Sequence, residues 1–571
     1  MKTYGEIQYK NGEWHIIEAE PHVRIKLKNI FKRIPAYAVP PYIFADTPEQ
    51  CADLQWFMSR YPLSISRHDE LKLKRKSKSF YNLQSEMEAI MQGNLEMSAL
   101  SANVSLKEGQ ALRPYQTQGV ELSKRQQRIL IGDDVGLGKT YLGIGFMFHK
   151  EHLPALVVVK THLWKQWQTK IEEFSHLCVH VIHGRIVYTL PAADVYVVKY
   201  SCLSSWVDIF DKMPFQTIIF DEIQELRRGT ASGKGAVSEL LSGKASYVLG
   251  LSATPIYNYG DEIYNVCDIL KKGSLGTREE FLREWSTDGR IVKDPDALGT
   301  YLREKYLLLR RTKKDVGRFL QEVNTVVDYV EFDEENVRKA EEIAVQLAIK
   351  ASAGSFIERG KAARELDLKV RHFTGVSKAR YVAEYVKILL EAGEPILLAG
   401  WHRDVWDIWL NELKSFDPVM YTGTESSTQK ERSKEAFMKG DTNLMFISLR
   451  SGEGLDGLQE RCSIVVHGEL DWSPMIHYQV VGRLDREGQN NPPVTSIYLV
   501  SDSGSDPLIM DVLGLKSSQA RGINDPGLGA QAVYNDRTRV QLLIDKYLKK
   551  KGGQLPGSVV YSDQEIALNY G

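Results

Sequence analysis

The stretch Gly132–Thr140, GDDVGLGKT, constrains the fold of this chain more than any other. It follows the apolar run Ile129–Ile131 and precedes the apolar, helix-like Tyr141–Phe148. Strand, glycine-rich loop and helix in that order make a phosphate cradle. Loop N–H groups surround phosphate oxygens, and the helix N-terminus adds a favourable field. There Lys139 neutralises β- and γ-phosphates and the Thr140 hydroxyl reaches Mg2+. Asp133 stands where the usual GxxxxGK[ST] spacing opens with glycine, so the surrounding pattern has to support the reading.

It does so through a series of short apolar runs separated by helical texture: Arg128–Ile131, Ala155–Val159, Val195–Val198, Thr217–Phe220 and Tyr247–Leu249. Buried parallel strands read this way because both of their faces are covered. Residues 335–393 are strongly helical in texture. From 395 the strand pattern returns at Pro395–Ala399, Val419–Tyr421, Asn443–Ser448, Ser463–Val466 and Thr495–Val500. The expected class is α/β with two parallel-sheet units, and a chain of 571 residues has room for both and more. The predicted divisions are 1–100, 101–330, 331–394 as a helical linker or insertion, 395–505, and 506–571 as a helical tail or brace with a helix over Thr538–Lys550. The N-terminal unit reads as α+β. A hairpin turns at Asn11-Gly12, and a helix over Val23–Ile34 offers Ile25, Ile30, Phe31 and Ile34 to a core.

Further chemistry lies at the ends of these runs. In TIIFDEIQ, Thr217–Gln224, a strand ends in two carboxylates. Asp221 suits Mg2+, and Glu222 suits orienting and deprotonating an attacking water. Strand ends of one parallel sheet converge on its carboxyl edge, and LGLSATP adds Ser252 and Thr254 after another strand. In QVVGRLDREGQ, Arg483 and Arg486 lie three apart and suit a developing phosphoryl charge. One unit would hold nucleotide and Mg2+; the other would supply arginines across a cleft that ATP closes and hydrolysis reopens.

Composition excludes other classes. Five cysteines in no tight pair are neither a disulfide framework nor a zinc set, and no stretch has the apolar length of a membrane span. A net charge of -1 gives no global signal for nucleic acid, so local patches decide. The densest is LKLKRKSKS, with Lys72, Lys74, Arg75, Lys76 and Lys78. It reads either as a solvated face or as a phosphate-backbone contact.

The order of these segments, over about residues 110–500, resembles the superfamily 2 helicases and most closely the Snf2-like ATPases. The resemblance implies two RecA-like lobes, ATP and Mg2+ as cofactors, and a motor that moves on double-stranded or branched DNA, annealing or remodelling it. LRPYQTQGV, Leu112–Val120, resembles the segment upstream of the phosphate loop, which makes Arg113 and Gln116 nucleotide contacts with Gln116 on adenine. Asp134, Gly136, Gly138, Lys139 and Thr140 match the loop. Gln224 takes the last place of the DEAH-type box, and Gln479 opens the arginine motif. Lys160, Thr161 and His162 match a strand-tracking segment. Gly423, Arg450 and Ser451 match second-lobe contacts, and Ser252 and Thr254 match the coupling motif. LLRRTKKDV, Leu308–Val316, resembles a stretch found late in Snf2 first lobes. In ISLRSGEGLDGLQ the chain departs from the family: Glu453 interrupts the glycines, and Asp456 follows leucine where asparagine is usual. The N-terminal LKNIFKRIPAY resembles the accessory domain of annealing helicases, which would make residues 1–100 a DNA-structure module. The implied setting is the cytoplasm of a bacterial cell or a phage-infected host, with a monomer meeting replication, recombination or repair proteins. Two other readings stay open: an RNA or single-strand helicase of the same superfamily, and a catalytically weak nucleic-acid-binding scaffold.

Overall fold

The computed structural model describes residues 2–93, 106–161, 163–253, 262–286, 291–317, 323–352, 356–449, 455–486, 489 and 493–511. The chain divides into two compact units, the first ending at Thr312 and the second starting at Lys313.

The first unit opens with a three-stranded antiparallel sheet of β1 (Gly5–Lys10), β2 (Glu13–Ala19) and β3 (Tyr42–Ala45). Asn11 and Gly12, both at positive φ, make the hairpin turn. Helices α1 (Pro21–Ile30), α2 (Pro48–Arg60) and α3 (Arg67–Met91) accompany this sheet. The first of them differs from expectation. It stops at Ile30, and Val23 and Leu27, one turn apart, face the core. Ile25 and Ile30 lie on the exposed side, while Phe31 and Ile34 pack against the core beyond the helix end.

Seven parallel strands follow: β4 (Arg128–Ile131), β5 (Ala155–Val159), β6 (Val179–Val181), β7 (Val195–Lys199), β8 (Thr217–Asp221), β9 (Tyr247–Leu251) and β10 (Leu308–Leu309), in the spatial order β10-β4-β9-β8-β5-β7-β6. Alternate residues enter opposite cores. Leu130, Val158, Ile218, Phe220 and Val248 face one; Ile129, Ile131, Val157, Ile219 and Leu249 face the other. Burial on both faces is why these strands read as unbroken apolar runs. Register sets β4, β8 and β9 side by side, with Ile131 and Asp221 both opposite Leu251. Whatever follows these three strands therefore emerges at one edge. Helices α4 (Pro114–Gln126), α5 (Lys139–Phe146) and α6 (Trp164–Phe174) flank that edge.

The second unit holds a six-stranded parallel sheet of β11 (Asn324–Tyr329), β12 (Ile396–Gly400), β13 (Val419–Tyr421), β14 (Leu444–Ser448), β15 (Ile464–His467) and β16 (Thr495–Val500), ordered β11-β16-β15-β12-β14-β13. β11 was not anticipated; it lies in the unit that starts at Lys313. The helices Glu334–Ser352 and Phe356–Glu391 share cores with this sheet. Val382, Val386 and Leu390 share a core with Ile396, Leu398 and Phe446 of the sheet. Lys378, buried in the long helix, donates to the Leu499 carbonyl and to Asp506 at 2.6 Å each, fastening the helix to the end of β16. The expected helix Thr538–Lys550 and the tail beyond residue 511 lie outside the described residues.

Candidate active site

The loop after β4 is shaped by two residues in the left-handed region, Gly136 at φ 86 and Gly138 at φ 72. A Cβ at Gly138 would stand 2.6 Å from the Gln116 side-chain nitrogen, so the loop requires glycine there. Gln116 is buried on α4, accepts from the Arg113 N–H at 3.0 Å and donates to the Leu137 carbonyl at 3.1 Å. It thereby ties α4 to the loop. Lys139 Nζ donates to the Asp133 carbonyl at 2.7 Å and the Asp134 carbonyl at 3.2 Å. Removal from water lowers its pKa, while Glu222 and Asp133 act the other way. Neutral carbonyl oxygens thus hold the ammonium where phosphate oxygens would hold it more strongly. Thr140 follows in the first turn of α5. The cradle, the lysine and the helix terminus fit a nucleotide triphosphate.

The carboxylates after β8 are positioned by neighbours. Asp221 accepts from Trp167 Nε1 at 2.7 Å, and its carbonyl accepts from the Tyr200 hydroxyl at 2.9 Å. Glu222 sits at φ 51, a left-handed conformation that costs on the order of 1 kcal/mol for a non-glycine residue. The amide of buried Gln224 donates to its carboxylate and fixes it. Ser252, fully buried after β9, donates its N–H to the Ile131 carbonyl at 3.0 Å. The first unit therefore brings Arg113, Gln116, Asp134, Gly136, Gly138, Lys139, Thr140, Asp221, Glu222, Gln224 and Ser252 to one side of one sheet.

Arg310 and Arg311, which sequence reasoning used only as part of a motif, also act here. Arg311 grips both carboxylate oxygens of Asp133 and reaches the Tyr115 carbonyl. Arg310 pairs with Asp134 at 2.9 Å and donates to the Gly132 carbonyl at 2.7 Å. Both arginines and both aspartates are largely buried. The missed signal was their place directly after β10, at the carboxyl edge. Trp167 was missed too, since nothing local points an indole at Asp221.

In the second unit, Gln479 lies on the helix Pro474–Val481 and Arg483 follows it, both half-buried. Arg486 donates to the Gly482 carbonyl at 2.6 Å and is paired with Asp456. Burial lowers its pKa to about 10. Lys313 pairs with Asp485.

The nucleic-acid candidates are dispersed. Lys72 and Lys76 are turned inward on Asp46, Lys76 at 2.7 Å, and Lys74 pairs with Glu70. Lys160 lies 3.9 Å from Glu225; Thr161 and Gly423 are exposed. His162, Thr254, Arg450 and Ser451 lie outside the described residues.

A family model for the SNF2-related domain matches residues 50–366. The chain belongs to the SNF2-related family. The SWI/SNF-related matrix-associated actin-dependent regulator of chromatin subfamily A-like protein 1 of Drosophila melanogaster is 26% identical over 72% of this chain and 56% of its own length. DNA annealing helicase and endonuclease ZRANB3 of Homo sapiens is 25% identical over 71% of this chain and 40% of its own. The uncharacterized ATP-dependent helicase YqhH of Bacillus subtilis is 21% identical over 66% and 73%. The chain thus spans about half the length of the SWI/SNF-related and annealing-helicase members it matches. The Sulfolobus solfataricus SWI2/SNF2 ATPase core in complex with dsDNA is 21% identical over 73% of this chain and 96% of its own, with a TM-score of 0.35. Among the described residues no helix is long and apolar enough to cross a membrane.

Proposed function

We propose that this SNF2-related protein is an ATP-dependent translocase on double-stranded or branched DNA. The observation that carries the reading is the joint placement of the Lys139 loop, Asp221, Glu222 and Ser252 at one edge of the first parallel sheet. In the reading, Gln116 and Arg113 border the base, and the loop with Lys139 holds the phosphates. Thr140 and Asp221 would hold Mg2+, whose charge would offset that of the phosphates. Glu222, fixed by Gln224, orients and accepts a proton from the attacking water. Arg483 and Arg486 of the second unit meet the developing charge during turnover, and Ser252 with Thr254 passes the change to the DNA contacts. The protein works as a cytoplasmic monomer alongside replication, recombination or repair proteins. ATP turnover measured with duplex DNA, branched DNA, single-stranded DNA and RNA tests the reading. Duplex or branched DNA should stimulate most. Stimulation by RNA alone, or none with any nucleic acid, would overturn it.

A further inference from the structure

The helix α3 uses its basic residues in two ways. Lys72 and Lys76, one turn apart, converge on Asp46, which also accepts from Trp14 Nε1 and the Tyr9 hydroxyl at 3.0 Å each. The Lys72 ammonium lies 3.1 Å from the centre of the Tyr9 ring. These two lysines fasten α3 to the small sheet. On the adjoining face of the helix, Arg75, Lys78, Ser79 and Asn82 are all exposed and line a groove of about 480 Å³. None of the four side chains has a hydrogen-bond or ion-pair partner among the described residues. Lys74, by contrast, has Glu70.

We infer that this groove seats the phosphodiester backbone of DNA, with Arg75 and Lys78 on phosphate oxygens and Ser79 and Asn82 as neutral donors. The inference rests on the proposed DNA reading and gives the N-terminal module a contact of its own. Arg75 and Lys78 are about 4.5 Å apart along the helix axis, near enough for both long side chains to reach the phosphates of one strand. An open, exposed wall of donors suits an extended polyanion; small molecules take enclosed, largely apolar pockets. Glu86 closes one end, its carboxylate 3.7 Å from Arg125 of α4. Leu83, also in the groove, packs against the core that holds Ile129 and Ile131, and Gln118 of α4 donates to the carbonyls of Ile90 and Met91 at 3.0 and 2.9 Å. DNA held here is therefore held rigidly to the helix that carries Gln116.

The test is fluorescence anisotropy of a labelled duplex with the full chain across a salt series. Arg75→Glu with Lys78→Glu should weaken binding roughly 10-fold or more. Arg75→Gln with Lys78→Gln should reduce the slope of log affinity against log salt by about two phosphates' worth. Lys74→Glu, on the same helix, should change affinity less than a single reversal at Arg75. Unchanged affinity and slope in the double variants, or an equal loss from Lys74→Glu, would overturn the groove. Loss of affinity with an unaltered slope would also overturn it. Binding needs no hydrolysis. A wild type that binds duplex DNA through the groove yet shows no DNA-stimulated turnover would sink the translocase reading and leave the groove standing.

Discussion

In the first unit the two aspartates of the phosphate loop are held by cations from the same unit, Asp133 by Arg311 and Asp134 by Arg310. Its cation, Lys139, donates to two neutral carbonyls, with the carboxylates of Glu222 and Asp133 acting on it from nearby. In the second unit the arrangement is reversed. The cation Arg486 is held by a carboxylate, Asp456, and burial lowers its pKa to about 10. The difference separates two kinds of readiness. A phosphate has neutral hydrogen-bond acceptors to displace at Lys139, so nucleotide binding is prepared in advance. Arg486 must exchange an anion for an anion, so its service to the phosphates has to be brought about by a change of state.

The largest effects belong to the prepared side. Lys139→Ala and Glu222→Gln should each lower DNA-stimulated ATP turnover by on the order of 10²–10⁴-fold, measured as steady-state phosphate release. Near-normal turnover in both would remove the site from the first sheet. Next comes the other side of the comparison. Arg486→Ala should cut kcat by about 10³-fold, as loss of a charge-stabilising arginine does. The Kd for a fluorescent ATP analogue should stay within a few-fold. An equal fall in affinity would show that Arg486 takes part in binding and that the contrast between the units is false.

The buried pairs give a third test, read as stability. Arg311→Met leaves Asp133, 1% exposed, as a buried charge without its partner. The cost should be about 3–5 kcal/mol in urea unfolding of the first unit. Adding Asp133→Asn to the same chain should recover part of it, because the stranded charge is gone. No loss in the single variant would mean the loop carboxylates need no cation and that the first unit is not prepared by its ion pairs.

The same contrast explains what could be read in the sequence. Doubly buried strands such as Ala155–Val159 and Leu444–Ser448 announce themselves as apolar runs. β11 did not, because NTVVDY is an edge strand with all but one of its residues exposed. β6 and β10, three and two residues long, fall below what periodicity resolves. The phosphate loop and the two carboxylates after β8 were legible because their chemistry is local. The Arg311–Asp133 pair joins residues 178 apart, and no local pattern carries such a contact. Among the lysines of α3, charge alone could not show that Asp46 claims two and leaves Arg75 and Lys78 unspent.

The smallest expected effect comes from Asp456 itself. It is the residue at which this chain carries a charge where asparagine is usual in the family it resembles. Its side chain is 45% exposed, so solvent screens the pair with Arg486, and the pair is worth up to about 1 kcal/mol. That sets the scale: Asp456→Asn should raise DNA-independent ATP turnover by no more than about fivefold. The DNA-stimulated rate should move less, since in that state the arginine is already engaged with phosphate. Raising ionic strength should reproduce part of the gain in the wild type and little of it in the variant, because salt and the substitution weaken the same pair. A fall in the DNA-independent rate would reverse the assignment. Asp456 would then be a residue that aims Arg486, and the second unit would be as prepared as the first.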